Sequence, residues 1–576
     1  MRALSRPTER RWVLPDSVDT AAIERLQSEL RLPAALCRLL VQRGHARSEA
    51  ARSFLRPHPD QIHSPALLAG IADAVSRLRA AIDARETILV HGDYDVDGIC
   101  ATALYVRVLR SFGARAHPFV PNRLIDGYDL SEAGIRAAAT VGASLILTGD
   151  CGIVAHDAVD MARAAGVDVI VTDHHTPGAT LPSAVAVVNP NRPDCRYPNK
   201  GLAGVGVAYK LCCALATELG FGADRIACYL DLVALATVAD LAPLTAENRV
   251  LVRWGLKVLA RTPNPGLRAL LRTTGLADKP EISAGQVGFV LAPRLNAVGR
   301  MGDAARGVQL LLTDDDREAG QIAAVLEDEN KWRRAVDTET LRDAMKQVEL
   351  EFDPDRDRGV VLAAEGWHPG VIGIVASRVV EQIYRPTVMI AVGNGEGKGS
   401  GRSISGFHLY DAMHECKQYL TRFGGHRAAA GCSIDPRNID GFRDAFNAQA
   451  KSLLTDDMLI PEVRIDLEVR LDEANEENCR LLRHAAPFGI GNPTPVFAVR
   501  DVTASARRVV GKNHLKMRLE SGGYSLDAIG FGMGERIDDP DLASGQMDVA
   551  FKLEENEWNG RHRLQARLVD LRAPAR

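Results

Sequence analysis

Nowhere in the 576 residues do 18 uncharged apolar residues follow one another, which excludes a membrane-spanning helix on hydropathy. The ten cysteines (Cys37, Cys100, Cys151, Cys195, Cys212, Cys213, Cys228, Cys416, Cys432 and Cys479) form no Cys-x-x-Cys pair. No zinc knuckle and no dithiol redox motif is therefore expected. Several, such as Cys212 and Cys213, lie in apolar runs and read as buried thiols, so a reducing cytoplasm is the expected compartment. The basic start has no apolar segment behind it, so no secretory signal is expected. Nor is there an excess of one charge: 70 Lys and Arg stand against 74 Asp and Glu, a net charge of −4. That excludes a global basic field for nucleic acid or an anionic membrane, while leaving local patches open. There is no internal repeat and no low-complexity tract. With 46% hydrophobic and 25% charged residues the chain reads as soluble and globular, and its length suggests about four domains.

The first ~70 residues carry short helical patterns and no nameable chemistry. From Thr87 short apolar runs alternate with helical stretches, and each run ends in functional residue types. Thr87-Ile-Leu-Val-His91 leads into acids and Gly98, then a helical stretch from Ile99 to Leu109. Ser144–Thr148 ends in Gly149-Asp150, Val167–Val171 in Thr172-Asp173-His174-His175, and Ala184–Val188 in Asn189-Pro190. The alternation predicts a parallel α/β sheet, with function gathered beyond the carboxyl ends of its strands. A helical region spans Tyr209 to Ala239, and Asp314 to Leu350 reads as a long charged helix that connects two domains. A second α/β block runs from Gly359 through the glycine-rich stretches Gly393–Gly406 and Phe423-Gly-Gly-His426. From about Ile460 short alternating segments predict a small β-barrel.

Chemistry is densest in His91-Gly-Asp93-Tyr-Asp95-Val-Asp97-Gly98. Alternating acids on an extended segment would point to one side and raise one another's pKa unless cations separate them. Divalent metal is the simplest resolution, against a solvated turn or a helix cap. Asp150, the histidine pair His174-His175 and Asp240 in an apolar run each have a plainer reading alone, as turn, surface or cap residues; four such clusters in order point to a metal site.

HGDYDVDG, TGDCG, TDHH and ALATVADLAPL together resemble the metal-binding motifs of the DHH phosphoesterases. Within that superfamily the chain is similar to the single-strand-specific DNA exonucleases. Ala292-Pro-Arg294-Leu-Asn296-Ala-Val-Gly-Arg300, Gly366-Trp-His368-Pro-Gly370, Ser400-Gly-Arg402-Ser and Phe423-Gly-Gly-His426 extend the likeness over most of the chain. The fold implied is α/β: a parallel-sheet DHH phosphoesterase domain (71–310) after an N-terminal helical extension (1–70), a connecting helix (311–352), a smaller α/β DHH-associated domain (353–455), and a C-terminal OB-like β-barrel (456–576).

The resemblance implies two Mn2+ or Mg2+ ions held by His91, Asp95, Asp97, Asp150, His174 and Asp240, with Asp150 shared by both ions and Asp93 in a less defined part. His175 would contact the scissile phosphate. Arg294, Asn296, Arg300, Ser400, Arg402 and His426 would hold the substrate, and backbone N–H groups around Gly399 would approach an anion. Arg507, Arg508, Lys512, Lys516 and Arg518 would line a single-strand groove on the barrel, and Tyr128 could stack on a base or simply pack. The expected reaction is 5′-to-3′ hydrolysis of single-stranded DNA to 5′-mononucleotides in repair and recombination. The expected partners are DNA, a single-strand-binding protein and a helicase, with no membrane, for a monomer. A phosphodiesterase of short oligonucleotides or cyclic dinucleotides, or an inactive replication scaffold, would share part of this motif set.

Overall fold

The computed structural model describes residues 10–15, 19–123, 125–539, 542–558 and 561–574. The chain folds as two units. One comprises Ser53–Trp332 with Ala485–Thr494, the other the remainder. The first is built on a five-stranded, wholly parallel sheet in the order Arg115–Phe119, Thr87–Gly92, Leu145–Gly149, Asp168–Thr172, Ala186–Val188. Its inner strands are near-continuous apolar runs, and Ile88 to Val90, Leu145 to Leu147 and Val169 to Val171 are buried. Strands of that kind suit a sheet with both faces covered. The helices Val96–Ser111, Gly204–Glu218 and Leu230–Ala239 pack in its core, and Leu230–Ala239 is buried without a break from Leu230 to Thr237. Chain order reverses between Thr87–Gly92 and Leu145–Gly149, and that switch point is where open parallel sheets leave a crevice.

The second unit holds a mixed sheet in the order Leu420–Gly425, Ala429–Ile434, Glu396–Arg402, Thr387–Gly393, Val360–Glu365, and a closed five-stranded barrel. The barrel closes because Phe497–Val510 pairs with both His514–Ser521 and Gln546–Trp558. Its last strand, Arg561–Arg572, escapes pattern reading because charges stand between its buried Ala566, Leu568 and Leu571.

Three further features differ from the pattern-based expectations. The glycine-rich segment at Gly399 is no anion loop: it is a strand paired on both sides, so its backbone groups serve the sheet. A Cβ on Gly399 would lie 2.4 Å from Cys432 Sγ, so only glycine fits. Residues Ala485–Thr494 join the first unit, where Ile490 accepts from Leu244 N (2.7 Å) and Ala486 from Arg249 Nη2 (2.8 Å). The N-terminal segment up to Arg52 belongs to the second unit: Arg11–Val13 pairs in parallel with Glu462–Arg464, and Trp12 Nε1 donates to Asp570 (2.7 Å).

Asp316–Glu351 is one continuous helix of 36 residues. Ala319, Ala323 and Leu326 are buried in the first core and Ala344 and Val348 in one of the second unit. All ten cysteines are free thiols, and all but Cys228 are buried. Among the described residues no helix is long and apolar enough to cross a membrane.

Candidate metal centre

The strand Thr87–Gly92 stops before the acids, so Asp93, Asp95 and Asp97 do not alternate on one extended segment. They sit on a tight turn into a helix. Asp95 caps Val96–Ser111, accepting from Asp97 N (2.8 Å) and Gly98 N (3.1 Å). Asp97 stands in the first helical turn, where Gly204 N (2.7 Å) and Val205 N (2.8 Å) donate to its two oxygens from the start of another helix. A helix N-terminus is a natural seat for a carboxylate. Asp150 follows its strand in the left-handed region (φ 68°), a conformation that costs energy and recurs at functional sites. Asp240 is the C-terminal cap of Leu230–Ala239 and not, as its plainer reading had it, a cap for the helix that follows, and it also reaches the site.

These turns converge. Three sets of side-chain atoms each lie within 4.8 Å of one another: Asp93, Asp95 and Asp150; Asp97, His174 and Asp240; Asp150, His174 and His175. Asp150 belongs to two of the sets, and its Oδ1 is 3.1 Å from His174 Nε2. His174 Nδ1 is bonded to the Leu202 carbonyl (3.0 Å), which fixes the tautomer with Nδ1 as donor. Nε2 then turns a lone pair toward a carboxylate oxygen, and neither atom has a hydrogen-bond partner. Asp93 Oδ1 is buried and unpartnered as well. Burial, then the charge of neighbouring acids, holds Asp93, Asp97 and Asp150 well above the usual carboxylate range. Asp240 is pushed up to about 7 by burial and by Asp95. Burial lowers His174 to about 4, so it is neutral. Facing lone pairs, crowded acids and a neutral imidazole form a donor set that fits divalent cations.

His91 stands in none of the three sets. It is fully buried, with Phe119 against its ring (5.1 Å), Cys151 Sγ 3.6 Å from Nδ1, and Gly134 packed so closely that a Cβ there would lie 2.8 Å from Nε2. Burial pushes it down to about 4. Asp93, given the lesser part in the sequence reading, is the group beside Asp95 and Asp150.

His175 is held from behind by Asp173, which accepts from its Nδ1 at 2.7 Å and from the backbone N–H of both histidines (2.7 and 3.0 Å). Burial opposes the imidazolium, but that bond to Asp173 raises His175 to about 9. Tyr128 Oη lies 3.3 Å from His175 Nε2. Sequence reasoning placed Asp173 in the third cluster and Asn189 at a strand end without a role for either; Asn189 donates to the His175 carbonyl, and Asn191, which it missed, donates to that of His174. It also missed Asp129, which accepts from Gly152 N (2.6 Å) beside Asp150.

The other expected site residues fall in separate places. Asn296 Oδ1 accepts from Val96 N (3.3 Å), tying the helix Ala292–Met301 to the turn that bears the acids. Arg294, on that helix, is engaged by Glu327 and the Val290 carbonyl (both 2.5 Å), and Arg300 is half-buried at its end. In the second unit Ser400 and Arg402 come together, with Nη1 3.1 Å from Oγ, while His426 is exposed in the turn between Leu420–Gly425 and Ala429–Ile434. On the barrel Arg508 pairs across from Lys516, and Arg518 is exposed 3.3 Å from Asp527. A register shift after Ser505 turns Arg507 to the Leu542 carbonyl, and Lys512 is exposed in the turn.

Gly204→Ala is expected to weaken manganese binding about 10- to 100-fold, the usual effect of disturbing a ligand's support. A Cβ there would meet Asp150 Oδ1 at 2.6 Å. Calorimetric titration with Mn2+ checks it, and unchanged affinity would mean that Asp150 moves aside freely.

Residues 87–237 match the DHH family N-terminal domain, residues 357–452 the DHHA1 domain, and residues 465–570 the RecJ OB domain. Fold, acidic centre and these three matches define a hydrolase of the DHH phosphoesterase class. The single-stranded-DNA-specific exonuclease RecJ of Bacillus subtilis is 37% identical over 565 residues, 97% of this chain and 70% of that protein. Its counterpart in Dickeya dadantii is 41% identical over 555 residues, 93% of this chain and 95% of the other. The crystal structure of RecJ from Thermus thermophilus in complex with Mn2+ has a TM-score of 0.84 at 33% identity, covering 98% of this chain and 80% of that one. The chain belongs to the RecJ family.

Proposed function

We propose that this protein hydrolyses single-stranded DNA from its 5′ end to 5′-mononucleotides, with two Mn2+ or Mg2+ ions in the acidic centre. The observation that carries this reading is Asp150 Oδ1 facing the His174 Nε2 lone pair at 3.1 Å, both atoms buried and unbonded, amid carboxylates that cannot all ionise without cations. Asp93, Asp95 and Asp150 would hold one ion, and Asp97, His174 and Asp240 the other, with Asp150 beside His174. When bound, such a pair activates water and neutralises charge on the phosphodiester.

The chain's own residues do the rest. Leu202 fixes His174 as an acceptor, and the amides of Gly204 and Val205 hold Asp97 in place. His175, oriented by Asp173, would donate a hydrogen bond to a phosphate oxygen. Ser400, Arg402 and His426 would take the terminal phosphate, and Arg508, Lys516 and Arg518 the strand's backbone. The resemblance supports a role in repair and recombination, work as a monomer in the cytoplasm, and cooperation with a single-strand-binding protein and a helicase.

The test is incubation with Mn2+ and end-labelled single-stranded DNA, with duplex and dinucleotides in parallel. Mononucleotides are expected from the 5′ end of the single strand alone, in a reaction stopped by EDTA and restored by excess Mn2+ or Mg2+. Cleavage of dinucleotides only would assign the site to small substrates. No cleavage with any metal would leave a scaffold.

A further inference from the structure

Phe289 is 88% exposed, the most exposed of the large hydrophobic residues described. Burying a phenylalanine is favourable, so a bare ring forgoes stability that a partner could return. Its backbone is unusual too: Val287–Leu291 is a π-helical turn, a local widening that often marks functional sites. The turn leads directly into Ala292–Met301, the helix whose Asn296 holds the N-terminus of the helix bearing Asp97.

On its other side the turn packs against the helix that ends in Asp240. A Cβ on Gly288 would lie 3.6 Å from Val238 Cγ1, two residues before Asp240. Leu241, immediately after Asp240, is 66% exposed at positive φ (60°). A bare aromatic ring and a bare aliphatic side chain thus stand on two of the elements that build the acidic centre. The centre takes care of phosphate; neither Phe289 nor Leu241 can. What they can meet is the part of a nucleotide that has no charge.

We propose that Phe289 stacks on a base of the single strand beside the scissile phosphate, a substrate-positioning contact that rests on the nuclease reading above. Every base has a π-face, so such a contact holds the strand without choosing its sequence. It is also denied to bases that remain stacked and paired in a duplex, and so favours the single strand.

The experiment measures binding of a 5′-phosphorylated, fluorescent oligothymidylate by anisotropy with Mn2+ present, in an Asp150→Asn background that prevents turnover. Adding Phe289→Ala should weaken binding about 30-fold, at the centre of the range for one stacked base. Phe289→Trp should keep it, and Phe289→Leu, which is apolar but has no ring, should not. An oligonucleotide abasic at the contacted nucleotide should bind Asp150→Asn with the same loss, and adding Phe289→Ala should cost it nothing more. Because the ring is exposed, the variants should melt at the parent temperature. Equal binding by the alanine variant, or additive losses with the abasic strand, would overturn the stacking contact and leave the nuclease reading intact. A wild-type protein that neither binds nor cleaves single-stranded DNA would overturn both.

Discussion

Asp150→Asn and Asp150→Ala are expected to lower hydrolysis of single-stranded DNA by ~10³-fold or more, the scale seen when a group central to transition-state charge is removed. Asp150 is the one side chain in both the Asp93–Asp95 set and the His174–His175 set, so its loss removes a carboxylate from two places at once. Asparagine is the sharper variant, since it keeps the size and tolerates the left-handed backbone at φ 68°. Stability separates a lost site from a lost fold. Without metal, the buried Asp150 carboxyl is held far above its usual range by burial and by Asp97, Asp95 and Asp93, so removing its charge should leave the melting temperature unchanged or higher. With Mn2+ the wild type should gain stability by mass action, about 2.7 kcal/mol at a hundredfold excess over Kd, and Asp150→Asn should gain much less. Hydrolysis within tenfold of wild type in the asparagine variant would remove Asp150 from the metal site.

The largest stability effect is expected away from the chemistry. Lys210 and Glu247 are each only 1% exposed, and Nζ lies 2.8 Å from Oε2. Nζ also donates to the His63 carbonyl (2.7 Å) and lies 5.5 Å from the Tyr197 ring centre, while Glu247 accepts from His63 N (3.2 Å). The pair thus joins the segment before the sheet to the helices Gly204–Glu218 and Ala246–Leu259. Burial lowers the Lys210 pKa, and Glu247 opposes that shift. Removing one partner strands a charge in a dry interior, which costs about 3–5 kcal/mol, whereas replacing both with apolar groups of similar volume is often neutral. Glu247→Leu and Lys210→Met should each lower the urea midpoint strongly, and the double variant should recover most of the loss. If the two losses simply add, the pair is not the unit described here.

Legibility from sequence followed the range of the interaction. The parallel sheet was readable because each buried strand is a short apolar run closed by functional residues, as in Leu145–Gly149 before Asp150. The acidic centre was readable as a set, since crowded carboxylates at several strand and helix ends need cations wherever the chain brings them. Its internal assignment was not. His91 and Asp93 are two residues apart at one strand end; Asp93 gathers with Asp95 and Asp150, while the His91 ring, its Nε2 buried and without a hydrogen-bond partner, packs against Phe119, Gly134 and Cys151, all distant in sequence. The same holds for Gly399, whose glycine is required by Cys432 across a strand pair.

The sequence by itself determined the residue types and their placement at element ends, because periodicity and local charge act over a few residues. Tertiary structure alone decided which carboxylates share a site, which histidine nitrogen is free, and which aromatic ring is left bare, because each depends on packing between segments tens to hundreds of residues apart.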